Sequence, residues 1–247
     1  MPILNDTQLD QVAFPNSHYG YSATRLEDLG ATEYTIATIV ADISGSTAAF
    51  IRDMEAAIAR IVQACKLSPR ADNLLLRLVA FDHLLSELHG FKLLENCHLA
   101  DYGGCLSAGG STALYDATEN AVVSTTSYAQ QLAAGDFSAN AIVFVITDGM
   151  DNASKTPARL VKNAFAKAIR SEALESIVSV LIGVNVQDAQ VSRYLKMFHS
   201  EAGFTQYVEL DNADAKTLAR LAEFVSRSIS AQSQALGTGG ASQPLVF

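Results

Sequence analysis

The chain has 247 residues, 49% hydrophobic and 17% charged, with a formal net charge of −9 at pH 7. That length and apolar share allow one sizeable buried core, so one domain with extensions is expected. The acid excess opposes binding to a phosphate backbone, which draws on clustered Lys and Arg, and nucleic acid is set aside as a partner.

No stretch approaches the roughly 18 to 20 uninterrupted apolar residues of a membrane span. The opening MPILNDTQLDQ lacks a basic region followed by an apolar one. A soluble, cytoplasmic protein without a membrane partner is therefore expected. Cys65, Cys97 and Cys105 are odd in number and lack CxxC or Cys/His zinc spacing, which argues for reduced, structural thiols.

Residues 1–33 scatter Phe14, His18, Tyr19 and Tyr21 among Asn, Asp, Gln, Ser and Gly without a period, and read as an arm laid over the domain. YTIATIVAD, 34–42, reads as a strand buried on both faces, since its β-branched residues run uninterrupted by charge until Asp42. Phe50, Met54, Ile58, Ile61 and Cys65 recur at three- and four-residue steps, the mark of an amphipathic helix. NLLLRLVAF, 73–81, is a second strand. HLLSELHG, 83–90, follows too closely for a crossover helix and should form a hairpin with it, making an antiparallel edge.

The Gly-rich loop DYGGCLSAGGST leads into a helix over 113–133, then a strand over 141–147 and a helix over 157–173. A central strand over 177–184, a helix over 187–202, the short strand TQYVEL and a last helix with Leu218, Leu221, Val225 and Ile229 complete the alternation. This order predicts a doubly wound α/β fold: a mainly parallel sheet with one antiparallel edge strand and helices on both faces. The domain is expected over 34–232. The tail from 233 is Gly- and Ser-rich, hence flexible, yet it closes on apolar Leu245, Val246 and Phe247, which suit a docking peptide or self-association.

In open parallel sheets, ligands gather beyond the carboxyl ends of the strands. There the chain places Asp42, Ser44 and Ser46, then Ser111 and Thr112, then Asp148 in TDGMDN. Every one is oxygen-bearing and none is His or Cys, the donor type that hard cations such as Mg²⁺ prefer.

In these residues the chain resembles the von Willebrand factor A family, whose metal-ion-dependent adhesion site combines DxSxS with a distant Thr and a distant Asp. Here these are Asp42-Ile-Ser44-Gly-Ser46, Thr112 in GGST and Asp148 in TDG, in that order. The resemblance spans roughly 34–230 and implies the Rossmann-like fold of that family. It implies that Ser44 and Ser46 ligate a divalent cation, Mg²⁺ or else Mn²⁺ or Ca²⁺, through their hydroxyls. Thr112 joins them in the ligand-competent state, and Asp42 and Asp148 act directly or through water. The sixth position goes to an acidic residue of a partner protein, drawn in because neutral hydroxyls leave the cation most of its charge. The resemblance further implies a non-enzymatic adaptor or regulator in a bacterial-type cell, often beside an AAA+ ATPase.

Blander and rival readings stand beside this one. Ser46 or Thr47, and Ser111 or Thr112, are favoured helix N-caps. Asp148 suits an ordinary turn, with Asp151 and Asn152 as loop polars. Gly109 and Gly110 lack the GK[ST] of a phosphate loop. Ser107 sits one residue off a nucleophile elbow, and His83, His89, His98 and His199 lack ligand spacing. Asp42 as the nucleophile of a haloacid dehalogenase-like phosphotransferase is opposed by Ser44, which occupies the place of its second Asp. The second class, an Mg²⁺-dependent phosphotransferase or hydrolase using the same cation, lacks an evident base or nucleophile. A self-assembling structural protein with a vestigial metal site is the third class.

Overall fold

The computed structural model describes residues 9–14, 19–238 and 244–247. Their centre is an eight-stranded sheet of order β1-β2-β5-β4-β3-β6-β7-β8. In chain order the strands are β1 (Leu9–Ala13), β2 (Gly20–Thr24), β3 (Glu33–Asp42), β4 (Leu74–Phe81), β5 (Leu85–Leu93), β6 (Ser138–Thr147), β7 (Ile177–Gly183) and β8 (Gln206–Glu209). The helices are α1 (Ile51–Lys66), α2 (Leu114–Ala134), α3 (Ala158–Ile169), α4 (Ala189–Ala202) and α5 (Ala215–Ala235). Strands β3, β4, β6, β7 and β8 run parallel, as the alternation of strand and helix patterns requires.

Along β3 the side chains alternate between two cores. Ala37, Ile39 and Ala41 join a cluster with α1 and α5, whereas Val40 joins one with α2, α3 and α4. The sheet is thus covered on both faces, and its central strands are mostly apolar because both faces are buried, with Thr35, Thr38, Arg77 and Asn140 among their buried polar residues. No helix of the described residues is long and apolar enough to cross a membrane.

The expected hairpin of β4 and β5 forms, but β5 does not end the sheet. The segment read as an arm supplies, in its described residues, β2 parallel to β5 and β1 antiparallel to β2. The β2–β5 ladder is short, pairing Ala23 with Phe91, and side chains complete it. Glu87 accepts from Ser22 N at 3.1 Å and Ser22 Oγ at 2.8 Å, and also takes Arg77 Nε at 2.7 Å. Gly90 permits this approach, since a Cβ there would lie 2.1 Å from Ser22 O. His18, Met1 to Gln8 and most of the Gly-rich tail linker lie outside the described residues.

Other boundaries shift. Helix α3 stops at Ile169 rather than 173, α5 continues to Ala235, past the expected start of the tail, and α1 begins at Ile51 behind a 3₁₀ turn over Gly45–Ala49.

Candidate metal site

Strand register builds the site. Asp42 pairs with Phe81 of β4, and Ala41 with Ile146 of β6, so Thr147 flanks Asp42. The chain leaves β3 toward α1 on one face and leaves β6 toward α3 on the other. Such divergence opens a crevice at the carboxyl ends of two neighbouring strands. Asp42 and Asp148 stand on its two sides.

A chain of hydrogen bonds crosses that crevice. Ser44 N donates to Asp42 Oδ1 at 2.8 Å and Thr147 Oγ1 to Asp42 Oδ2 at 2.6 Å. Ser44 Oγ lies 3.2 Å from Ser46 Oγ, which donates to Asp148 Oδ1 at 2.8 Å. Ser44 is buried, whereas Ser46 is exposed and Asp148 half-buried, so the cluster opens to solvent at one side. The capping alternative fails for Ser46 and Thr112. Helices α1 and α2 have Phe50 and Ala113 at their N-caps, with no side-chain cap. Thr47 Oγ1 turns back to Ser44 O at 2.8 Å.

The Gly-rich loop is fastened to this cluster by its backbone. Gly109 N donates to Ile43 O at 2.8 Å and Gly45 N to Gly110 O at 3.2 Å. Thr112 is buried beside the TDG turn, its Oγ1 being 3.9 Å from where a Cβ on Gly149 would sit. Asn152 Oδ1 accepts from Thr112 N at 2.7 Å, while Asn152 N and Ala153 N donate to Thr112 O at 2.9 and 3.1 Å. Ser154 Oγ takes Tyr115 N and Asp116 N, each at 3.0 Å, and Asp116 in return takes Thr156 N at 2.7 Å. The loop after Asp148 therefore caps α2 from outside the helix and locks the Thr112 and Asp148 segments together. Asn152 was readable only as a loop polar. Its one signal is an Asx side chain four residues past Asp148, which does not reveal a distant acceptor. Thr147, which orients Asp42, was equally silent.

Burial raises the Asp42 carboxyl from 3.8 to about 6, with bonds from Thr147 and Ser44 opposing and the charge of Asp148 adding to it. Burial also raises Asp148, against the bond from Ser46. Among the described residues neither carboxylate has a salt-bridge partner. Two acids brought together without a basic side chain make a place where a cation is favoured.

The donor set fits a small hard cation. Oxygens on adjacent vertices of an octahedron of radius about 2.1 Å lie about 3 Å apart. The Ser44–Ser46 and Ser46–Asp148 oxygen separations of 3.2 and 2.8 Å lie on either side of that value. Among the described residues no group of three or more His, Cys, Asp and Glu could hold a metal. That leaves this hydroxyl-rich cluster as the candidate, with two carboxylates rather than three.

No family model matches the chain, and no curated protein matches it. Solved structures do. The PilB minor pilin from Streptococcus sanguinis is 12% identical with a TM-score of 0.56, over 84% of this chain and 64% of that one. Proximal thread matrix protein 1 (PTMP1) from the mussel byssus, with a zinc-occupied MIDAS motif, is 20% identical with a TM-score of 0.56, over 81% of this chain and 46% of that one. The pilus adhesin SpaC from Lactobacillus rhamnosus GG, in its open conformation, is 11% identical with a TM-score of 0.54, over 81% of this chain and 30% of that one. The chain thus spans less than two thirds of each. At these identities the likeness is one of fold, and that fold is von Willebrand factor A-like.

Proposed function

We propose that the chain is a divalent-cation-dependent protein-binding domain that grips an acidic side chain of a partner. The observation that carries this is the hydrogen-bonded run from Ser44 through Ser46 to Asp148, with Asp42 behind it. A bound cation, Mg²⁺ or else Mn²⁺ or Ca²⁺, supplies an open coordination position for the partner's carboxylate. Ser44 and Ser46 would hold it through neutral hydroxyls, Thr112 would complete the set, and Asp42 and Asp148 would supply charge. A hydroxyl-rich set leaves net positive charge toward the visitor, where a cage of carboxylates would neutralise it. A fold neighbour bearing an occupied MIDAS motif supports the reading.

Binding is favoured over turnover by the state of Asp42. Both its oxygens are already taken up, by Ser44 N and Thr147 Oγ1. That suits a carboxylate that orients its neighbours rather than one that attacks phosphorus. In this reading the chain is an adaptor in the cytoplasm, and an AAA+ ATPase is the partner class that the family resemblance supplies.

Calorimetric titration with Mn²⁺ tests the site. The wild type should bind it, and a Ser44→Ala, Ser46→Ala double variant with native circular dichroism should not. Partner capture that is identical with and without chelator would refute the role.

A further inference from the structure

We infer that the surface formed by Arg220 and Phe224 of α5 and Gln206 of β8 is a peptide-docking site whose resident, residues 244–247, exchanges with the same segment of a second copy of the chain. None of the cation-site residues takes part. Leu245 and Phe247 pack on the core cluster formed with α1 and α5, while Val246 between them is 87% exposed. This alternation is that of an extended peptide laid on a surface. Phe247 meets Phe224 edge-on at 5.5 Å, and the Arg220 guanidinium lies 5.1 Å from the centre of the Phe247 ring.

One main-chain bond fixes the segment, Gln206 Nε2 donating to Leu245 O at 2.9 Å. Gln206 stands on β8, the last strand of the sheet, and its buried Oε1 has no hydrogen-bond partner among the described residues. A side-chain amide that engages the peptide on one side only makes an imperfect seat, which favours release. Between Ala235 and Pro244 the sequence reads LGTGGASQ, a length that fully extended spans roughly 26 Å, reach enough for another protomer. Exchange of an identical element between protomers is a low-cost route to a dimer, because each contact made is one already present within the chain.

The test uses the intact chain in chelator and a fluorescent peptide, Ser-Gln-Pro-Leu-Val-Phe, corresponding to residues 242–247. The peptide should bind Phe247→Ala about tenfold more tightly than wild type, since a tethered occupant at millimolar effective concentration no longer competes with a ligand of ~100 µM affinity. Adding Arg220→Ala, an exposed position, should weaken that binding about threefold, the size of an exposed cation–π contact. By light scattering, wild type should shift toward dimer as concentration rises, and Phe247→Ala should remain monomeric. Peptide binding no tighter to Phe247→Ala than to wild type, or a wild-type mass independent of concentration, would overturn the inference.

Discussion

Replacing Asp42 by Asn should stabilise the chain when cations are removed and destabilise it relative to wild type when they are present. Burial lifts the Asp42 carboxyl from 3.8 to about 6. An unfolded chain releases this proton near 3.8, whereas the fold retains it to about 6. The group therefore costs nothing at low pH, and its destabilising effect grows as pH rises from 4 through 6 and then levels. At about 1.4 kcal/mol per tenfold step, the effect on the cation-free fold at pH 7 is about 3 kcal/mol. An Asn keeps the acceptor for Ser44 N but presents an amide to Thr147 Oγ1, which now donates at 2.6 Å. Losing that bond offsets about 1 kcal/mol. In chelator at pH 7, Asp42→Asn should thus be more stable by about 2 kcal/mol in urea melts, the gain crossing zero at about pH 4.5 and turning into a loss of about 1 kcal/mol at lower pH. Buried His89, lowered to about 3 mainly by desolvation, adds its own acid sensitivity, but equally in both proteins, so the difference isolates Asp42. With Mg²⁺ at a hundredfold its dissociation constant, wild type should gain about 2.7 kcal/mol and the variant nothing, reversing the order. A variant less stable than wild type in chelator at pH 7, or one still stabilised by Mg²⁺, would refute this reasoning.

Two further outcomes follow from residues outside the proposed ligand set. Asn152→Ala removes the acceptor for Thr112 N and should weaken Mn²⁺ binding about tenfold in calorimetry, as loss of an outer-shell partner does, while stability falls by about 1 kcal/mol; unchanged affinity would contradict the lock. Glu87→Ala strands the buried Arg77 guanidinium, held at 2.7 Å by Glu87, and should cost about 3 to 5 kcal/mol in chemical denaturation; a loss under 1 kcal/mol would show that Asn120 Oδ1 and the Gly20 carbonyl, which accept from Arg77 Nη2 at 3.1 and 3.3 Å, suffice.

The central strands were legible in the sequence because burial on both faces leaves mostly apolar runs, as in β3, β4 and β6, even where Thr38, Arg77 and Asn140 break them. The hydroxyls and acids were legible because the ends of those strands fall where the apolar runs stop. Strands β1 and β2 were not, for they have five residues each and β2 joins β5 through a carboxylate rather than a long ladder. No local period encodes a bond between Ser22 and Glu87, 65 residues apart. The same holds for Asn152 and Thr112, where an ordinary loop residue acquires its role from a partner 40 residues away. The apolar close of the tail was visible, but its seat on Phe224 and Arg220 depends on where α5 lies against β8.

The claim that oxygens from separate segments share one cation is tested most directly by anomalous diffraction from Mn²⁺-soaked crystals. One strong peak should lie within about 2.2 Å of both Ser44 Oγ and Ser46 Oγ and be lost in the double Ala variant. A fully loaded crystal with no peak there, or with its manganese bound elsewhere on the chain, would contradict it.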